Sequence, residues 1–137
     1  MALIPKETEL QEGLMAIFDT LLLKKGYVKS ELVHMREKFN IACDEHIQNG
    51  FKSDQGWINA NICHQNKFME YEMYCHLIDI INDFKDIYGQ FPDYLEMYQT
   101  LNQLMIQLAE EEKYELAAII KLWADKIEDA IQEHSYC

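Results

Sequence analysis

The 137-residue sequence has few residues that interrupt helices, with only five glycines and two prolines. The rest is rich in Leu, Ile, Met, Glu, Lys and Gln, which favour helix over sheet. No stretch approaches the roughly 18 consecutive apolar residues that a membrane-spanning helix needs. The N-terminus also lacks the basic region and apolar core of a signal peptide. We therefore expect a cytoplasmic, all-α protein that does not associate with a membrane.

Motifs that carry catalysis are also missing. The sequence has neither a phosphate-binding loop nor a dinucleotide-binding fingerprint. Its four cysteines have no strand-turn-helix or glycine-rich context that prepares a nucleophile. In a cytoplasmic protein such cysteines are most simply reduced thiols. We therefore expect no enzymatic activity and no cofactor.

Basic residues are scarce, because 12 Lys and Arg face 24 Asp and Glu, a net charge of −12. Residues 1–40 are balanced, whereas residues 41–90 carry a net charge of −5 and residues 91–137 carry −7. This distribution excludes a direct nucleic-acid reader, which needs a basic surface. It also argues against adhesion to an anionic membrane. The acidity predicts a protein partner with a basic surface, and solubility alone is the alternative explanation.

The most regular stretch is residues 93–134, which predicts a C-terminal antiparallel helical hairpin. Pro92 and Asp93 are typical of a helix start. An acidic break at residues 110–113 separates two segments whose apolar residues recur at helical spacing. Short connections of this kind favour antiparallel neighbours. The two apolar arcs comprise Tyr94, Met97, Tyr98, Leu101, Leu104, Met105, Leu108 and Ala109, then Leu116, Ile119, Ile120, Trp123, Ile127, Ala130 and Ile131.

Within this hairpin, Leu101, Met105, Ala109, Tyr114-Glu115 and Ala117-Ala118 have the spacing of the UVR motif. Residues 101–131 thus resemble the helical hairpin of the bacterial excision-repair proteins. The resemblance implies a hairpin that binds other proteins. The chain departs from the family pattern at Lys121-Leu122 and at Glu112, so the resemblance extends only to the hairpin and its apolar spine.

The rest of the chain predicts three more helices. The first spans residues 7–24 and ends at Lys24-Lys25-Gly26, where a glycine cap is typical. The second spans residues 30–48, with Ser30 as its N-cap. The third spans residues 57–88, either unbroken or interrupted near residues 64–66. We expect residues 1–137 to form one all-helical domain, a bundle of four or five helices.

The leading functional hypothesis is a non-enzymatic protein-interaction module. Such a protein acts as an adaptor, regulator or inhibitor of a larger protein machine, including one that binds nucleic acid. Acidic residues on the far side of the third helix and on the hairpin, with two tyrosines, form the candidate partner-binding set. The set comprises Glu72, Asp79, Asp83, Tyr94, Glu96, Tyr98, Glu110, Glu111, Glu112, Asp125, Glu128 and Asp129.

Two alternatives remain open. Cys43 and His46 have the Cys-x-x-His spacing that allows two side chains to share one zinc ion, and Cys63 and His76 are further candidate ligands. Buried cysteines and core histidines are the ordinary explanation for such residues. The other alternative is a self-associating structural subunit, that is, a homo-oligomer.

Overall fold

The computed structural model describes residues 6–50 and 54–135. These residues form four α-helices: α1 (Lys6–Gln48), α2 (Asp54–Phe84), α3 (Tyr94–Glu110) and α4 (Tyr114–Ser135). The described residues contain no strand, and the all-α prediction is confirmed. None of these four helices has the length and apolar content that a membrane crossing requires.

Helix α1 is one helix where the sequence predicted two. The predicted end at Gly26 and the predicted N-cap at Ser30 were both wrong. Gly26 lies within the helix without a positive φ, and the Ser30 hydroxyl donates to its carbonyl at 3.2 Å. A glycine inside a helix costs only about 1 kcal/mol. The buried side chains of Leu21, Val28 and Leu32 keep their helical spacing across it, so burial outweighs that cost.

Helix α2 is also unbroken, so no interruption occurs near residues 64–66. His64 lies on the inner side of the helix, where its ring stacks on Phe39 with 5.6 Å between ring centroids. The polar segment at residues 64–66 therefore stays helical, and the stacking of His64 on Phe39 depends on this helical geometry. Helix α2 ends at Phe84, earlier than the predicted residue 88, because a loop closed by Gly89 at φ 76° follows it.

The chain forms two compact units. The terminal unit comprises Met1–Leu22 and His76–Cys137, and the middle unit comprises Leu23–Cys75. Among the described residues, twenty apolar side chains are buried, and the middle unit holds three of them: Val28, Leu32 and Tyr74. The other seventeen lie in the terminal unit. The apolar core thus belongs mainly to the terminal unit.

In the middle unit, polar and aromatic side chains make contacts between α1 and α2. The ring of buried His46 stacks on Trp57, with centroids 5.0 Å apart and planes 8° from parallel. The Lys67 ammonium donates to Glu31 at 3.1 Å and to Glu70 at 2.9 Å. Burial alone lowers the pKa of Lys67, but these two carboxylates raise it above its ordinary value. Polar contacts between two paired helices specify the register of one helix against the other, at some cost in stability.

The loop before α3 is anchored in the core of the terminal unit. Phe91 is fully buried, and its ring meets Phe18 edge-on with centroids 6.5 Å apart. The Lys85 ammonium lies 4.8 Å from the centre of the Phe18 ring. This anchoring fixes the point from which α3 starts.

Candidate partner-binding surface

The turn between α3 and α4 is closed by backbone hydrogen bonds. The Lys113 amide donates to the Leu108 carbonyl at 2.8 Å, and the Glu112 amide donates to the Ala109 carbonyl at 3.0 Å. This pair of bonds is the Schellman arrangement, which normally places glycine in the left-handed conformation after the helix. Here Glu112 occupies that position at φ 63°. A non-glycine residue in this region stores backbone strain of roughly 1 kcal/mol.

An apolar groove lies between α3 and α4 beside this turn. Its volume is about 500 Å³. Ile106 from α3 and Tyr114 from α4 stand at its edge with 47% and 64% of their surface exposed. A volume of this order is typical of concave, mostly apolar binding sites. The lining residues are Met105, Ile106, Ala109, Glu110, Tyr114, Ala117, Ala118 and Lys121.

Four exposed carboxylates lie at or next to the turn, on Glu110, Glu111, Glu112 and Glu115. Glu110 also lines the groove. One of the four has a cationic neighbour, because Lys113 lies 3.4 Å from the Glu111 carboxylate. Ion pairs between exposed side chains are weak. The end of the groove nearest the turn is therefore strongly acidic.

At the end of α3 and α4 that is farther from the turn, the Tyr98 hydroxyl donates a hydrogen bond to Glu128 at 2.9 Å. Tyr98 lies near the start of α3 and Glu128 near the end of α4, so the two helices run antiparallel. The hydrogen bond to Glu128, desolvation and the negative charges of Glu128 and Asp125 raise the pKa of Tyr98 above 10.0. Asp125 accepts a hydrogen bond from Lys121 at 2.9 Å. Besides Glu111, three members of the predicted set are thus engaged within the chain: Tyr98, Asp125 and Glu128.

The remaining members of the set are distributed over both units. Asp79 and Asp83 are exposed one turn apart on α2 in the terminal unit, whereas exposed Glu72 belongs to the middle unit. Tyr94 is half-buried, and Glu96 and Asp129 are exposed on α3 and α4. The structure therefore groups only Glu110, Glu111 and Glu112 at the groove end.

Sequence reasoning missed two side chains of the groove, Ile106 and Lys121, and it named Tyr114, Ala117 and Ala118 only through the resemblance to the UVR motif. Ile106 and Tyr114 lie outside the two predicted apolar arcs, although both are large and apolar. An apolar residue off the buried face of an amphipathic helix is the signal that identifies them. Conversely, Met105 and Ala109 were predicted as core residues, and the structure leaves both partly accessible in the groove.

The four candidate metal ligands do not form a cluster. The Trp57 indole N–H donates to the sulfur of Cys43 at 3.3 Å, and His46 lies 3.4 Å from Asp54. Cys63 is exposed in the middle unit, and exposed His76 belongs to the terminal unit. Within residues 6–50 and 54–135, no three His, Cys, Asp or Glu side chains are arranged to hold a metal ion.

No protein-family model matches the chain, and no curated protein or solved structure matches it either. Function must therefore be inferred from the surface of the molecule itself.

Proposed function

We propose that the protein is a non-enzymatic interaction module that docks a partner with a basic surface onto the groove between α3 and α4. The observation that carries this proposal is the apolar groove with the acidic cluster at its end. In this role the protein is an adaptor, regulator or inhibitor of a larger machine. The groove lies in the stretch that resembles the UVR motif, and the implied role of that motif is likewise protein binding.

The two parts of the surface have different roles in the proposed complex. Apolar side chains at the centre of an interface provide most of its affinity once they exclude water. Charged residues at its edge mainly increase the association rate and select partners of opposite charge. By sequence, the terminal unit contains five basic and seventeen acidic residues, so it accounts for the whole net charge of −12. A basic partner is therefore attracted from a distance and then held at the groove.

The conformation of Glu112 supports a functional role for the turn. Glycine at φ 63° avoids the steric cost that a glutamate side chain incurs there. Backbone strain of this kind is concentrated at functional positions. We infer that the Glu112 carboxylate contacts the partner and that this contact offsets the local strain.

Affinity capture from the native cell tests the proposal when it compares matched variants by quantitative mass spectrometry. Ala118→Gln fills the groove without changing the charge, and Ala16→Gln places the same side chain at an exposed position on α1. We expect a partner that the Ala16→Gln variant retains and the Ala118→Gln variant loses. Equal capture by both variants would contradict the assignment of the groove.

A second comparison tests the acidic cluster. Glu110→Gln/Glu112→Gln and Glu12→Gln/Asp19→Asn each remove two exposed carboxylates from the terminal unit, so their net charges are equal. The first variant should capture less partner than the second. If both lose capture equally, overall charge rather than this cluster drives binding.

A further inference from the structure

The middle unit leaves many large apolar side chains in contact with solvent. It buries only three apolar side chains in the described residues, yet it holds nine of the sixteen large ones that are exposed there. Large apolar side chains that are exposed together on one surface often mark an interaction site. The nine are Leu23, Tyr27, Val33, Ile41, Ile47, Ile58, Ile62, Phe68 and Met69.

Three of these side chains lie on one face of α1. At about 100° per residue, Leu23, Tyr27 and Ile41 lie within about 40° of each other, whereas Val33 and Ile47 lie about 80° and about 120° from Leu23. Leu23 is 64% exposed, Tyr27 66% and Ile41 58%. The buried side chains of the same stretch point to the other side of the helix. These three side chains thus extend over about 27 Å of the helix at 1.5 Å per residue, with exposed Ser30 and His34 between them.

A row of alternating charges flanks this face. Lys24, Glu31, Lys38 and Glu45 follow one another at seven-residue steps, and seven residues are close to two helical turns. Within the part of the chain that the structure describes, the side chains of Lys24, Lys38 and Glu45 make no ion pair. Glu31 contacts Lys67, but its side chain remains 51% exposed. The row is therefore available to another molecule.

The order of signs makes the row complementary to a reversed copy of itself. When a second copy of α1 lies antiparallel, Lys24 faces Glu45 of that copy, and Glu31 faces its Lys38. In a parallel two-fold pair the two rows instead lie on opposite flanks of the contact, so these side chains do not meet one another. The antiparallel register also brings Tyr27 close to Ile41 of the second copy. Flanking charges of this kind set partner choice and orientation in paired helices.

The net charge also favours self-pairing in this part of the chain. By sequence, residues 23–75 contain seven basic and seven acidic residues, so their net charge is zero. The rest of the chain carries the entire charge of −12, which opposes contact between copies. The middle unit itself therefore adds no net repulsion when two copies meet through it.

We propose that α1 over residues 23–47 is a self-association surface, on which a second copy of this chain packs antiparallel about a two-fold axis near His34. This interface buries Leu23, Tyr27 and Ile41 of each copy and forms four ion pairs. It is separate from the groove between α3 and α4, so its tests are independent of the partner proposed above.

Charge reversal with sedimentation velocity tests the pairing. The wild-type protein should associate to a dimer as its concentration rises. Lys24→Glu and Glu45→Lys each place two like-charged pairs in the homodimer, and each should weaken dimerisation about tenfold. An equimolar mixture of the two variants should regain the wild-type affinity, because every pair is then opposite in charge. A wild-type protein that stays monomeric, or a mixture as weak as the single variants, overturns the proposal.

Disulfide crosslinking tests the register. In a Cys63→Ser/Cys137→Ser background, His34→Cys lies at the two-fold axis and should form a disulfide-linked dimer under mild oxidation. Asn66→Cys, which is also exposed but lies on α2, is the control and should crosslink far less. Equal crosslinking at both positions would show that the contact is not centred on α1. Circular dichroism confirms that all variants keep their helix content.

Discussion

The side-chain amide of Gln11 pairs with both backbone groups of Phe91. The Phe91 amide donates to Gln11 Oε1, and Gln11 Nε2 donates to the Phe91 carbonyl at 3.0 Å. Gln11 is 6% exposed and Phe91 is fully buried. The Gln11 side chain of α1 thus provides hydrogen-bond partners for the backbone N–H and C=O of Phe91, a buried loop residue eighty positions later in the sequence.

Replacement of Gln11 by methionine should therefore destabilise the protein. Methionine keeps the length of the side chain but leaves the Phe91 N–H and C=O buried without partners, which costs about 2–4 kcal/mol. Urea denaturation measures this loss. Glu12→Met at the adjacent exposed position should change the free energy of unfolding by less than about 0.5 kcal/mol. Equal effects at both positions would show that the hydrogen bonds contribute nothing.

Replacement of Glu112 by glycine should stabilise the protein by about 0.5–1 kcal/mol. Glycine adopts φ 63° without steric strain, and the Schellman hydrogen bonds do not involve the side chain. Thermal or urea denaturation measures the gain. The same variant should bind the partner more weakly, since it lacks the carboxylate. A variant that is more stable and binds the partner as tightly as wild type would contradict the inferred role of Glu112.

Replacement of Gly26 by alanine should stabilise α1 by about 0.5–1 kcal/mol. An added Cβ meets no atom within 4 Å, and Gly26 has no positive φ. Denaturation in a Lys24→Glu background measures the gain without a contribution from self-association. Gly50→Ala is the control, because Gly50 has φ 63° and alanine is strained there. If Gly26→Ala lowered the free energy of unfolding as much as Gly50→Ala, the helix would end at Gly26.

The ionisation of Tyr98 should occur above its ordinary pKa of 10.0, chiefly because its hydroxyl donates to Glu128. Since the folded state holds this proton more tightly than the unfolded state, the stabilisation is complete below pH 10 and is lost at higher pH. The difference in ultraviolet absorbance between wild type and Tyr98→Phe follows the titration of this one tyrosine. In Glu128→Gln its midpoint should move down towards 10.0, and an unchanged midpoint would exclude Glu128 as the main cause.

The sequence predicted helical content well and helix ends less well. The apolar arcs of α3 and α4 were readable because each helix buries one face, as Met97, Leu101 and Ile120 show. The break at Gly26 was predicted from a local preference of about 1 kcal/mol, whereas the outcome depended on the burial of Leu21, Val28 and Leu32. Such tertiary contacts have no local signature.

The candidate surface was only partly predictable for the same reason. The glutamates of the turn could be listed from the sequence, but the groove depends on how closely two helices approach. The hydrogen bond from Tyr98 to Glu128 likewise joins residues thirty positions apart. A list of acidic residues therefore could not separate the carboxylates beside the groove from those that are paired within the chain.

The salt dependence of partner binding tests the central claim most directly. The dissociation constant of the captured, purified partner should be measured between about 50 and 300 mM salt, for wild type and for Glu110→Gln/Glu112→Gln. We predict at least about tenfold weaker wild-type binding at the higher salt, and a shallower dependence with lower affinity at low salt for the variant. Binding that is independent of salt and identical in the two proteins would contradict an acidic docking surface.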